Sequence, residues 1–288
     1  MFRHLGSILV AVMALVLTAC VAVILAMGLV ERLRAPPEIH LTVFDGVAAL
    51  GRHPPRIRAE IRGARPGRPF ASPWMVARFE DGWSAWLWVN ANGQTSQAGR
   101  PGLGRGSHRY TVGLSELEDR MDVVGEGTVW IWPHEDAVVW LDAGAIVSLS
   151  PRADETAEAG GAARDAVDAV KTLASGRHPV YLVAADGQGY ASARRRLQLC
   201  GVPPGPAFWV TPGKELSRLL GLKQVWPTID GAVVCDPAVR EAAAKLNVPV
   251  YPVPPAGAVA GTTEARDAWR GVLERVTARR AGSGVKGN

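Results

Sequence analysis

The chain has 288 residues, 48% hydrophobic and 20% charged, the composition of a globular protein with room for one or two domains and their cores. Its formal charge of +5 is carried by arginine far more than lysine. That suits an anionic partner, or simply codon usage rich in Ala, Gly, Arg and Pro. No basic run interleaved with aromatic residues marks a nucleic-acid surface, and the 3 cysteines make neither a disulfide framework nor a zinc spacing.

Leu5 to Val30 holds no charged residue, with Arg3 before it and Arg32 and Arg34 after it. That length suffices for a helix through a bilayer. The expectation is a single-pass membrane protein anchored by residues 5–30, its orientation left open by nearly balanced flanking charge. Two other readings stand beside this one. A cleaved signal peptide needs a shorter apolar core and a small-residue cleavage site. Leu17-Thr18-Ala19-Cys20 resembles a bacterial lipobox, which would put a lipid on Cys20, although Val21 to Val30 stays apolar beyond it. Arg34-Ala35-Pro36-Pro37 reads as a stiff linker.

Residues 38–134 read as short strands. Ile39–Phe44 alternates and Asp45-Gly46 turns. Arg56–Arg62 alternates too, putting Arg56, Arg58 and Arg62 on one face, read as solvated. Trp74–Phe79 leads to Asp81-Gly82, and Trp83–Val89 to Asn92-Gly93; both dipeptides are hairpin signals. With Arg109–Val112 and Gly127–Trp132 these runs make about seven strands, expected to form an all-β sandwich of immunoglobulin-like type. Trp86 and Trp88 share a face of their strand. With Trp74, Trp83, Trp130 and Trp132 they are expected as a core layer, the alternative being an exposed strip that binds carbohydrate or peptide.

Residues 135–280 change period. Ala137–Val147 is an apolar run, and its segment Val138–Asp142 suits a strand covered on both faces, as in a parallel sheet. Asp142, at the carboxyl end, either lines a ligand crevice or caps the following turn. Helices are expected at Ala163–Ala174, Tyr190–Leu199, Lys214–Leu222, from Pro237 to Asn247 and at Thr263–Arg280. Between them come strands at Pro179–Ala185, Ala207–Val210, Gly231–Asp236 and Val248–Val253. Cys235, in an apolar run, reads as a buried small hydrophobe. Residues 281–288 are expected as a disordered tail. The fold class is therefore multidomain: a transmembrane helix, the β-sandwich, then a three-layer α/β domain with a mostly parallel sheet.

The order of strand Val138–Asp142, helix, strand Val180–Ala184, helix, strand Val233–Asp236 resembles the haloacid dehalogenase-like (HAD) phosphohydrolase superfamily, over roughly Val138 to Val253. The sandwich ahead of it resembles bacterial proteins that join such a domain to a HAD module. The segment from Val180 to Pro206 is similar to the second-motif region of lipin-like phosphatidate phosphatases. The resemblance implies a first motif Asp-x-Asp-x-Thr, whose first Asp attacks phosphorus and whose second is general acid and base. Asp142 matches the first, but Gly144 and Ile146 stand at the other two positions. Val183 or Ala184 stands where the second motif has Thr or Ser. Lys214 or, less well, Lys223 fits the lysine that neutralises phosphate charge. Asp236 matches one Mg²⁺-binding acid of the fourth motif, while Ala238-Val239-Arg240 replaces its companion.

Phosphoryl transfer depends on positioning and electrostatic stabilisation, and acid–base help is worth about 10²–10⁴-fold. Losing the acid/base, the hydroxyl and a metal-site acid together removes most turnover. The expectation is a membrane-anchored protein whose catalytically inactive HAD-like domain acts in binding or scaffolding, with a protein, lipid or phosphate-bearing partner. Two alternatives stay open. One is a Mg²⁺-dependent phosphatase of a lipid or small phosphate ester, forming an aspartyl-phosphate. It would use Asp142 as nucleophile and metal ligand, Lys214 as charge clamp and Asp236 as second metal ligand. The other is envelope-polymer binding by the sandwich. Mg²⁺ is the one cofactor implied, and only if the HAD site is active.

Overall fold

The computed structural model describes residues 39–63, 74–114, 124–149, 164–256 and 262–283. Its first half is built from eight strands: β1 (Ile39–Phe44), β2 (Gly46–Ala49), β3 (Arg56–Gly63), β4 (Trp74–Phe79), β5 (Ser84–Trp88), β6 (Gln94–Ala98), β7 (Gly106–Leu114) and β8 (Val124–Trp132). A three-stranded sheet has the order β1-β3-β6, and a five-stranded sheet the order β2-β8-β7-β4-β5. Side-chain alternation makes the packing. In β3, Ile57, Ala59 and Ile61 are buried while Arg56 and Arg62 are exposed.

Two turns depart from the immunoglobulin-like expectation. Asp45-Gly46 is not a surface reversal: Asp45 is buried, and the chain passes from β1 in the smaller sheet to β2 in the larger. There β2 runs parallel to β8, so this sheet is mixed rather than wholly antiparallel. Asp81-Gly82 closes the β4–β5 hairpin, with Gly82 at φ 86°. Asn92-Gly93 instead hands the chain to the other sheet, where β6 pairs antiparallel with β3. A turn dipeptide reverses the chain locally but leaves open which sheet edge the next strand joins.

The second half alternates strand and helix. It comprises β9 (Val138–Asp142), α1 (Ala143–Ile146), α2 (Arg164–Leu173), β10 (His178–Val183), α3 (Gly187–Leu199), β11 (Ala207–Trp209), α4 (Glu215–Val225), β12 (Ile229–Val234), α5 (Pro237–Lys245), β13 (Val250–Pro252) and α6 (Thr263–Ser283). The strands form a parallel sheet in the order β11-β10-β9-β12-β13. Because these strands are apolar on both faces, alternate residues feed two cores. Val139, Leu141, Tyr181, Val183 and Val233 pack with α2, α3 and α6. Val138, Trp140, Val180, Leu182 and Val234 pack with α4 and α5. Each fully buried Leu or Val contributes roughly 1.5–3 kcal/mol.

Pro133–Ala137 joins the β-structure to the α/β layers. Just before it, Trp132 stacks on His178 at 4.1 Å and lies 4.8 Å from Trp226, so the two parts share buried aromatic contacts. Apart from Ile39 and Gly63, the described residues belong to one compact unit.

The expected anchor at 5–30, with Cys20, and the linker at 34–37 lie outside the described residues, as do 284–288 of the expected tail. Helix α6 runs on to Ser283, past the end expected at Arg280. Among the described residues no helix is long and apolar enough to cross a membrane. The longest, α6, has 21 residues but carries Glu264, Arg266, Asp267, Arg270, Glu274 and Arg275. The transmembrane part of the expected fold class and the single-pass membrane localisation are corrected accordingly. Their warrant was an uncharged run of sufficient length, and the described fold supplies no spanning helix.

Candidate functional site

The sheet order places β9 and β12 side by side, with the chain winding outward from β9 through β10 to β11 on one side and through β12 to β13 on the other. The carboxyl ends of two such central strands form the switch point at which open α/β sheets bind ligands. Asp142 ends β9, and Asp236 follows β12 by two residues, so the fold brings the two acids together. The backbone N–H of Asp236 donates to Asp142 Oδ2 at 2.8 Å.

What surrounds Asp142 decides its chemistry. Its side chain is buried, with the residue only 1% exposed. Oδ1 accepts from Gly144 N at 3.0 Å, which makes Asp142 the N-cap of α1. Oδ2 accepts from the N–H groups of Cys235 and Asp236 and from Cys235 Sγ at 3.2 Å. The capping role the sequence offered for Asp142 is present in the structure. Burial outweighs these donors and raises the Asp142 carboxyl above its ordinary range. Burial and the adjoining Asp142 charge push the Cys235 thiol up, so it stays protonated and serves as a donor.

Among the described residues, neither the Asp236 carboxylate nor the Lys214 or Lys223 amine forms a hydrogen bond or ion pair with the Asp142 side chain. Asp236 caps α5, its Oδ1 accepting from Ala238 N at 2.8 Å and Val239 N at 2.9 Å. Lys214 is exposed at the start of α4, and among the described residues no hydrogen bond or ion pair joins it to Asp142 or Asp236. Lys223 donates from Nζ to the Leu246 carbonyl at 2.5 Å. A Cβ on Gly144 would lie 3.2 Å from Cys235 Sγ and 3.3 Å from Asp142 Oδ1, so a side chain there would need its neighbours to shift by a few tenths of an ångström. The donor set does not fit Mg²⁺. Three of the four carboxylate oxygens already accept backbone N–H, whose positive ends stand where a cation would bind. Among the described residues no three His, Cys, Asp or Glu side chains could share a metal ion.

Sequence reasoning missed a second polar centre, between the β-structure and the α/β layers. Asp45 Oδ1 accepts from Thr128 N and Oδ2 from Ala207 N, both at 3.0 Å. Arg194 Nε lies 3.1 Å from Asp45 Oδ1 as an ion pair without hydrogen-bond alignment. Arg194 Nη1 also donates to the Glu126 carbonyl at 2.9 Å. Tyr190 Oη accepts from Asp45 N at 2.9 Å and donates to the Ala207 carbonyl at 2.8 Å. Burial raises the Asp45 carboxyl, and the Arg194 charge opposes that rise. Locally, Asp45 reads as a turn acid and Arg194 as one of three consecutive arginines, so no sequence signal singles them out.

Of the tryptophans expected as a core layer, Trp132 is buried and Trp130 packs against the same core, but three others lie outside it. Trp74, Trp86 and Trp88 are 40%, 60% and 52% exposed. Trp74 sits opposite Trp88 across the β4–β5 pair, their ring centroids 4.9 Å apart and edge-on. The cause is parity. Leu87, between Trp86 and Trp88 on the edge strand, takes the inward face and is buried. That signal was present in the sequence.

No family model and no curated protein matches the chain. Among solved structures, the chain is similar to the PKD domain of human KIAA0319 at 16% identity and TM-score 0.21, covering 35% of this chain and 87% of that one. A carbohydrate acetylesterase of Xanthomonas citri, XAC1771, matches at 13% identity and TM-score 0.28, with coverages of 83% and 73%. A β-glucuronidase of Ruminococcus gnavus matches at 8% identity and TM-score 0.23, with coverages of 73% and 40%. Likenesses at these scores carry no argument, and the reading of function rests on the geometry of the chain's own residues.

Proposed function

We propose that this protein works by binding or scaffolding, and that its α/β domain is a HAD-like phosphohydrolase scaffold without turnover. The observation that carries the proposal is the occupancy of Asp142. A nucleophilic carboxylate needs an accessible oxygen lone pair facing phosphorus, whereas Asp142 is only 1% exposed, its Oδ2 accepting from two N–H groups and the Cys235 thiol and its Oδ1 from Gly144 N. The absence of a carboxylate at position 144, where a Cβ would already meet Cys235 and Asp142 closely, supports the same reading. Purified chain incubated with Mg²⁺ and p-nitrophenyl phosphate, or with phosphatidate, is expected to give no turnover above the Asp142→Asn background. Turnover that Asp142→Asn abolishes would sink the proposal.

The exposed indoles favour a second reading, polymer binding by the β-structure. Trp86 and Trp88 present flat apolar faces beside polar neighbours on an edge strand, and stacking on aromatic faces is a common way to hold extended ligands. Sedimentation of the chain with insoluble envelope polysaccharide, lost in Trp86→Ala, supports this reading. Equal sedimentation of both proteins refutes it.

A further inference from the structure

Away from the Asp142 crevice, a cleft of about 530 Å³ opens between β2, the start of β3 and one face of α4. Six basic side chains line it: Arg52, His53, Arg56, Arg58, His134 and Arg218. Its single acidic lining residue is Asp45, whose carboxylate is already occupied by Arg194, Thr128 N and Ala207 N. Among the described residues, Arg52, Arg56 and Arg58 have no ion-pair or hydrogen-bond partner for their guanidinium groups. Arg218 is held in place. It donates from Nε and Nη2 to the Trp209 carbonyl at 3.0 and 2.7 Å, and its guanidinium lies 4.9 Å over the Phe208 ring. Its remaining N–H groups stay available to a ligand.

Arg58 and Arg218 are partly buried while Arg52 and Arg56 are exposed, and holding like charges close together without an anion is unfavourable. The cost shows in the groups themselves: burial and the Arg58 charge pull Arg218 down to about 9. Burial and the Arg56 charge lower Arg58 as well. An anion in the cleft would relieve this repulsion. Guanidinium forks match phosphate oxygens in pairs, and the cleft volume falls within the range of small-ligand sites.

We propose that this cleft binds a small phosphate-bearing polyanion carrying at least two ionised oxyanion groups. Several guanidinium groups without an anionic partner suit more than one negative charge, and a volume of about 530 Å³ suits a small molecule.

The test is titration calorimetry of the full chain with inorganic pyrophosphate at low salt. Saturable binding is expected, weakened about tenfold or more in Arg56→Gln/Arg58→Gln. The same charge change outside the cleft, Arg240→Gln/Arg270→Gln, should leave the affinity within about twofold. If the Arg58 change unfolds the chain, Arg52→Gln/Arg56→Gln, both exposed, carries the same comparison. Asp142→Asn should leave the affinity unchanged, which separates this site from the crevice reading. The proposal is overturned by no saturable binding, by equal weakening in both pairs of variants, by equal competition from sulfate at matched ionic strength, or by loss of binding in Asp142→Asn.

Discussion

Arg194→Met should remove about 3 kcal/mol of stability at neutral pH, the lower end of the cost of breaking a buried ion pair from one side. The lower end applies because Arg194 is 17% exposed, against 4% for Asp45, so water partly screens the pair. Methionine keeps most of the aliphatic stem, so the change removes charge rather than packing. What remains is a buried Asp45 carboxylate with only the Thr128 and Ala207 N–H groups as partners. The pH dependence gives a second, independent signature. Burial raises the folded-state value of Asp45, so its contribution to stability is fully present below about pH 3.8 and is lost as pH rises through the folded value. Arg194 holds that folded value down, and removing it lengthens the loss. The deficit of the variant should therefore be small in acid and grow as pH rises above about 3.8 and through the folded-state value of Asp45. Urea unfolding followed by tryptophan fluorescence measures it, and a double-mutant cycle with Asp45→Asn should show coupling of about 1–3 kcal/mol. A deficit below about 1 kcal/mol at neutral pH, or one independent of pH, would refute the argument that this pair ties the β-structure to the α/β layers.

Two further changes probe the frame around the candidate site. Asp236→Ala removes both caps on the first turn of α5 and should cost about 1 kcal/mol in urea unfolding, with Asp236→Asn retaining most of it; equal loss in both would point to a role beyond capping. Gly205→Ala places a Cβ 2.2 Å from the Pro179 carbonyl oxygen, a backbone atom that no rotamer change can move aside. The thermal midpoint should fall, by an amount matching about 1–3 kcal/mol of overpacking. An unchanged midpoint would show that the segment before β11 is not held against β10.

Local pattern alone determined much of this protein. The unbroken apolar run of Val138–Asp142 marked a strand covered on both faces, and the alternation of Arg56–Arg62 marked β3 and its inward Ile57, Ala59 and Ile61. Helical spacing after Arg164 and the proline opening α5 were equally readable, because such periodicity depends only on neighbours in the chain. Parity around Leu87 also contained the outward placement of Trp86 and Trp88, though aromatic content argued the other way. Tertiary structure alone decided the roles of the charged residues. Whether Asp142 attacks or caps depends on N–H groups 93 and 94 residues further along the chain, and Asp45 meets the N–H of Ala207 162 residues away. A carboxylate's chemistry is set by how many donors its oxygens face and how much water they keep, and chain neighbours specify neither when those donors arrive on another strand.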